Sequence, residues 1–142
     1  MRSVTVSTTL RAAIDDVYAF LLDNRNDPRW CPLASEVELV EGEPGLGALY
    51  RFRQGQGPGQ PERGSWLRTT EAVPPTRLVW DNDGRGISYT ATIDLEPRGD
   101  RTHLRHTNRV SLANPVQQAL WWTSAQGVLR LQLRNLRREL ER

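Results

Sequence analysis

The sequence contains no lysine: all 19 basic residues are arginine, set against 17 acidic residues for a formal net charge of +2. Codon usage in a GC-rich genome produces such a bias without any selection for function. The arginines that cluster, Arg130, Arg134, Arg137, Arg138 and Arg142, are interleaved with Glu139 and Glu141. That is the pattern of a solvated terminal helix face, and it argues against a nucleic-acid partner. Cysteine is almost as scarce. Cys31 is single and so closes no internal disulfide, and its Pro-flanked loop carries no neighbouring metal-ligand pattern. No apolar run approaches the eighteen or so residues that a membrane span needs. The first residues, Met1 to Ser7, alternate like a strand and lack the apolar stretch of a secretory signal. The expectation is a soluble, cytoplasmic protein without a membrane span.

Motifs for several chemistries are missing as well. Gly55, Gly57 and Gly59 alternate but lack the helix and lysine of a phosphate loop. There is no nucleophile elbow, no Cys-His arrangement and no nucleotide fingerprint. His103 and His106 lie three apart on a strand, hence on opposite faces, and do not chelate a metal together. No metal and no cofactor is implied.

What is present is ordinary globular material: 142 residues, 37% hydrophobic and 25% charged, with no internal repeat and no linker. This is enough for one domain, residues 1–142, with a real core. Val4, Val6 and Thr8 alternate with polar residues as a first strand. A short helix follows, with Asp15 and Asp16 in its first turn and Ile14, Val17, Tyr18, Leu21 and Leu22 as its apolar stripe. The turn-rich segment Asp23 to Pro32 then delivers Trp30, either as a core plug or at the mouth of a pocket. Strands are predicted over 35–41, 49–53, 64–72, 77–81, 86–96 and 102–112. They are punctuated by Gly42 to Gly47, the Gly- and Pro-rich stretch 54–61, Pro74-Pro75, and hairpin turns at 82–85 and 97–100. Asn114-Pro115 suits a helix start. Leu129, Leu133, Leu136 and Leu140 recur at spacings of four, three and four, the stripe of a long terminal helix. Sequential strands with tight turns pair antiparallel, so the order predicts one curved sheet around that helix.

Three segments carry a resemblance to a known family: Asp15-Asp16-Val17-Tyr18-Ala19-Phe20-Leu21, Asn26-Asp27-Pro28-Arg29-Trp30-Cys31-Pro32, and Pro44-Gly45-Leu46-Gly47 before a strand. With Glu71 to Trp80 and its Pro-Pro turn, they make the chain resemble the START-like, or Bet v 1-like (SRPBCC), superfamily, within it the polyketide cyclase/dehydrase group. One departure is Ala13, where members often have Pro at the helix entrance. The resemblance covers nearly the whole chain and its motifs are structural. It implies an α+β, helix-grip fold: a curved seven-stranded antiparallel sheet wrapped around a long C-terminal helix, with a short helical section after the first strand, enclosing a cavity for an apolar ligand.

Given such a cavity, strand periodicity assigns the inward side chains. Ile87, Tyr89, Ala91, Ile93 and Leu95 share one face, Leu104, His106, Asn108, Val110 and Leu112 another, and Leu78 and Trp80 join them. An inward phenol, imidazole and amide could orient a carbonyl or enol, with His106 and Tyr89 handling protons. They serve equally as core groups that need only a hydrogen-bond partner. Arg68, if it faces inward beside Trp66, would act as the inward arginine does in the aromatase/cyclases that the chain resembles, steadying an enolate or carboxylate; otherwise it lies on a solvated sheet face, in a strand that alternates poorly and has room for a bulge. The candidate catalytic residues are therefore His106, Tyr89 and Arg68. The candidate ligand-binding residues are Trp30, Trp66, Trp80, Asn108, Ala91 and Trp122, since flat aromatic walls suit a polycyclic ligand. Trp121 and Trp122 point about 100° apart on a helix, so only one of them lies on the inner line.

Two functions are expected from this reading. One is a polyketide cyclase/dehydratase-like enzyme; the other is a non-catalytic carrier or sensor of a lipid or quinone-like ligand. A third class, a protein-interaction module, would use the outer sheet or the paired tryptophans. The partner is an apolar small molecule (polyketide, aromatic or lipid), and the protein is a monomer or homodimer.

Overall fold

In the computed structural model, residues 2–31, 34–54, 63–84, 87–111 and 115–141 are described. Strand β1 (Arg2–Leu10) leads into helix α1 (Ile14–Leu22) and a tight 3-10 helix (Asn24–Arg29). Strands β2 (Ala34–Glu41), β3 (Leu49–Gln54), β4 (Arg63–Val73), β5 (Arg77–Gly84), β6 (Ile87–Arg98) and β7 (Arg101–Ser111) follow, and helix α2 (Pro115–Leu140) ends the chain. The seven strands form one sheet in the order β1-β7-β6-β5-β4-β3-β2, antiparallel throughout. This is the expected helix-grip arrangement. Each strand from β2 to β7 neighbours the next in sequence, whereas β1 and β2 form opposite edges and β1 pairs with β7, bringing the two ends of the chain's β-structure together.

Helix α2 lies against the concave face. Its stripe extends the predicted leucines: Leu129, Leu133 and Leu136 are buried, and Ala125 joins them one turn earlier. Across from it stand Val4, Val6, Leu78, Ile93, Leu95 and Leu104, all buried on the inner face of the sheet. Helix α1 covers a further part of that face with Val17, Tyr18 and Leu21. Its entrance at Ala13 is extended and has no side-chain cap; the helix instead starts on the backbone bond from Val17 N to Ala13 O. Thr102, fully buried, donates to the Ala12 carbonyl at 2.8 Å and pins the turn out of β1.

The structure lengthens the strands at both predicted hairpin turns. The turn expected at 82–85 begins later, because β5 runs through Gly84 and pairs Gly84 with Ile87. Asn82 is thus an inward strand residue, buried, with its amide donating to Ser65 Oγ at 3.4 Å. Arg85 and Gly86, the 55–61 part of the Gly- and Pro-rich stretch, and the Asn114 helix cap lie outside the described residues. At the next hairpin Arg98 pairs with Arg101, and Gly99 takes φ +65°, a left-handed conformation that glycine adopts without a Cβ penalty.

Because Leu136 is fully buried in the α2 stripe, truncating it opens a cavity in the main packing layer. Leu136→Ala is expected to lower the unfolding free energy by about 2–5 kcal/mol. The exposed Leu131→Ala should change it by no more than about 0.5 kcal/mol. Urea denaturation of both variants checks the contrast.

Candidate functional site

Between the sheet, the tight helix and the first half of α2 lies a cavity of about 280 Å³. Three rows of the antiparallel register contribute to its sheet wall: Trp80, Ala91 and Asn108 from one, Tyr89 and Val110 from the next, and His106 from a third, where it stands between Ile93 and Val6. In the first row Ala91 stands between Trp80 and Asn108, and its short side chain leaves free volume between two large ones. On α2, Trp121, Ala125 and Leu129 follow one another at spacings of four and face the same space, with Ala125 again the small member.

The polar groups in this space are held mostly neutral. His106 sits in a row of aliphatic neighbours, and its Nδ1 has no hydrogen-bond partner. Burial pushes its pKa down to about 4, so the ring is an uncharged imidazole at neutral pH. Trp30 stands edge-on to it, with ring centroids 6.2 Å apart. Tyr89 is held well above the ordinary phenol range, first by burial and then by the nearby Cys31 and Asp27. The Oδ1 of Asn108 and the indole Nε1 of Trp80 are also buried without a partner.

The tight helix supplies the group that the sequence reading did not single out. Asp23 opens that helix by accepting from Arg25 N at 3.0 Å, and Asn26 ties it to α1 by donating to the Phe20 carbonyl at 3.0 Å. A helix of three residues per turn stacks every third side chain on one face. Asn24, Asp27 and the following Trp30 thereby all line the cavity. Asp27 is buried, and Asn24 Nδ2 donates to its Oδ2 at 3.1 Å. Burial pushes the carboxyl up to about 7, against the smaller opposing pull of the Asn24 amide and of the Trp30 indole, which lies near it without closing a full hydrogen bond. The spacing 24, 27, 30 was visible in the sequence. Nothing there announced that this stretch winds at three residues per turn. Arg29 to Glu139 at 2.7 Å, and Asn135 donating to the Trp30 carbonyl at 3.3 Å, fasten the segment to α2.

Of the residues expected at the site, the structure brings together Trp30, Trp80, Tyr89, Ala91, His106 and Asn108. Three others are corrected. Arg68 and Trp66 face outward: β4 buries Leu67 opposite Tyr50 and Thr69 opposite Trp80, so the residues between them must meet solvent. A bulge does occur in β4, at Thr69/Glu71, beyond Arg68, and so does not turn it inward. The Arg68 guanidinium donates to the Gly47 carbonyl at 3.0 Å and pairs with Glu41 at 3.4 Å on the outer surface. Trp122 is 42% exposed, whereas Trp121, on the line of Ala125 and Leu129, lines the cavity. The Ile87 side chain and Leu112 lie outside the described residues. Cys31 also lines the cavity, and burial, then the Asp27 charge, push its thiol well above the ordinary range, so it is no thiolate. Among the described residues no cluster of three His, Cys, Asp or Glu side chains could hold a metal ion, and no helix is long and apolar enough to cross a membrane.

Solved structures share this architecture along the whole chain. A START superfamily protein from Mycobacterium smegmatis superposes with a TM-score of 0.83 at 16% identity, covering 98% of this chain and 97% of its own. A conserved protein from Geobacillus kaustophilus gives 0.78 at 17% identity, covering 99% and 95%. A Rhodobacter sphaeroides protein gives 0.72 at 25% identity, covering 98% and 92%. The fold is thus the helix-grip fold of that START superfamily structure. The model of the family described as polyketide cyclase / dehydrase and lipid transport matches residues 1–141, and the chain belongs to that family. No curated protein matches the chain.

The two perturbed groups impose opposite pH dependences on stability. The Asp27 pKa is raised on folding, from 3.8 to about 7, so its contribution is complete below about pH 4 and is lost as pH rises through 7. The His106 pKa is lowered, from 6.5 to about 4, so its contribution is present above about pH 6.5 and is lost as pH falls through 4. Asp27→Asn removes the first term. The variant should be more stable than the parent at pH 8, by roughly 1–4 kcal/mol, and the gain should vanish at pH 4. Denaturant titrations at the two pH values read this directly, and a loss of stability at pH 8 would refute the assignment.

Proposed function

We propose that this protein binds a compact apolar molecule of about one or two rings in the cavity under α2. The observation that carries the reading is the pairing of aromatic walls with buried polar atoms, His106 Nδ1 and Asn108 Oδ1, that have no protein partner. Such atoms cost about 1–3 kcal/mol each when left unsatisfied. A ligand hydroxyl would donate to Asn108 Oδ1, and a hydroxyl or carbonyl oxygen would accept from His106 Nδ1 in the tautomer that carries its proton there. The volume of about 280 Å³ lies at the lower end of ligand cavities, roughly 300–1,000 Å³. It favours a small aromatic or quinone-like molecule over a long acyl chain. Membership of a family of cyclases, dehydrases and lipid transport proteins supports the same reading.

A polyketide cyclase/dehydratase-like reaction is the second reading, favoured by the convergence of Tyr89, His106 and Asn108 on one space. Tyr89 and His106 would exchange protons with the substrate, and the Asn108 amide would steady a developing oxyanion in place of the outward Arg68. His106, whose pKa is lowered to about 4, is a weak base, and Tyr89, held protonated, is a weak acid, which supports binding and orientation more than proton transfer.

Ala125→Phe tests the binding reading by filling the cavity from the α2 side. Titration of 2-naphthylmethanol followed by calorimetry is expected to give saturable binding to the parent and a loss of at least about tenfold in the variant. Equal affinity in the two would place the ligand elsewhere. Native mass spectrometry of protein from its own host, with extraction of the retained molecule, separates the two readings. A polyketide or aromatic compound altered on incubation, and no longer altered by His106→Gln or Tyr89→Phe, supports the enzyme; a molecule returned unchanged supports the carrier or sensor.

A further inference from the structure

The cavity has a charge character that its apolar walls conceal. Among the described residues no arginine lines the cavity, and the histidine there, His106, is held uncharged. Among the described lining residues, the group left to carry charge is the carboxyl of Asp27, a residue 6% exposed. Trp30 and Tyr89 lie near it, and Trp80, Trp121 and Phe52 line the same cavity. Aromatic faces carry partial negative potential and attract cations, most strongly where water is excluded. A carboxylate in a cavity with aromatic walls, with no competing cation among the described residues, is the arrangement that recognises an organic ammonium group.

We propose that the cavity takes a compact hydrophobic amine, bound as its ammonium form, with Asp27 as the counter-ion and the tryptophan and tyrosine rings as the walls of a cage. The inference rests on the binding reading above and adds the ligand's charge. A carboxylic acid of the same size would bring a second negative charge into a space where no described residue offers a cation to meet it, and would be rejected. The groups that face Asp27 are Asp23 and Asn24 of its own segment, Cys31 of the following loop, Tyr50 of β3 and Tyr89 of β6. The Asp23 carboxyl is held below its ordinary range, chiefly by its bond from Arg25, and both tyrosines and the thiol are held above theirs. Asp27 is the one member of this set that titrates between pH 5.5 and 8.

The test uses three probes on one ring system: 2-naphthylmethylamine, 2-naphthylmethanol and 2-naphthylacetic acid, titrated calorimetrically at pH 8 and low salt. The amine is expected to bind at least about tenfold more tightly than the alcohol, with the acid weakest. In Asp27→Asn the ratio of amine to alcohol affinity should fall to near one. Lowering the pH to 5.5 should reduce the same ratio in the unmodified protein, where no folding defect of a variant can intervene. Alcohol binding with no preference for the amine, a preference that survives both Asp27→Asn and pH 5.5, or an acid that binds best would each overturn the proposal while leaving the binding reading intact. Failure of all three probes to bind would remove the binding reading and the proposal with it.

Discussion

One helix has to cover the apolar face of a seven-stranded sheet, and most of this structure follows from the mismatch. Seven strands spaced about 4.8 Å apart span about 29 Å, whereas a helix with its side chains is about 10 Å across. A flat sheet would leave most of its inner face wet. The sheet therefore curls around α2, the β1–β7 pairing brings the chain's first strand beside its last, and α1 with the tight helix closes the part that α2 does not reach. Where Leu129, Leu133 and Leu136 meet the sheet, the layers are filled. Toward the start of α2 the facing residues shrink to Ala125 and Ala91, and the same geometry leaves a cavity.

The cavity is a place where ordinary folding rules are broken. Elsewhere, charges lie on the surface in pairs such as Arg29–Glu139, Arg51–Glu38 and Arg77–Asp94. Within the cavity, a carboxyl group is buried with one amide as its hydrogen-bonding partner, and an imidazole is buried in an aliphatic row. Both are costly in the ionised form, and both shift in the direction that keeps them neutral. Groups held at a cost to stability mark sites shaped by something other than folding. Asp27 is the sharper case, because its raised pKa leaves it able to change charge near neutrality.

The outward placement of Arg68 has a functional consequence. An inward arginine would have made the cavity a receptor for anions and enolates; its position on the outer face, bonded to the Gly42–Gly47 loop and Glu41, gives that arginine to the surface of the sheet. Among the described lining residues, what remains inside is neutral or negative.

The sequence by itself determined the element order, the antiparallel pairing of consecutive strands, the stripe of α2, and the inward register of β6 and β7. These depend on local periodicity and turn chemistry, which leave a strong imprint along the chain. Alternation in β6 and β7 is nearly unbroken, so Tyr89, Ala91, His106 and Asn108 could be assigned to the inner face. In β4 the run Trp66-Leu67-Arg68-Thr69 offers a bulky residue on each face, and only the neighbours Tyr50 and Trp80, from two other strands, decided that Leu67 and Thr69 turn inward. Choosing between Trp121 and Trp122 likewise required the position of α2 over the sheet. The role of Asp27 was the least legible, because it arises from a three-residue helical repeat in a turn-rich segment and from burial beneath residues far away in the chain. Local pattern sets which way a side chain points; the dielectric it meets there is a property of everything packed around it, and only the tertiary structure decides that.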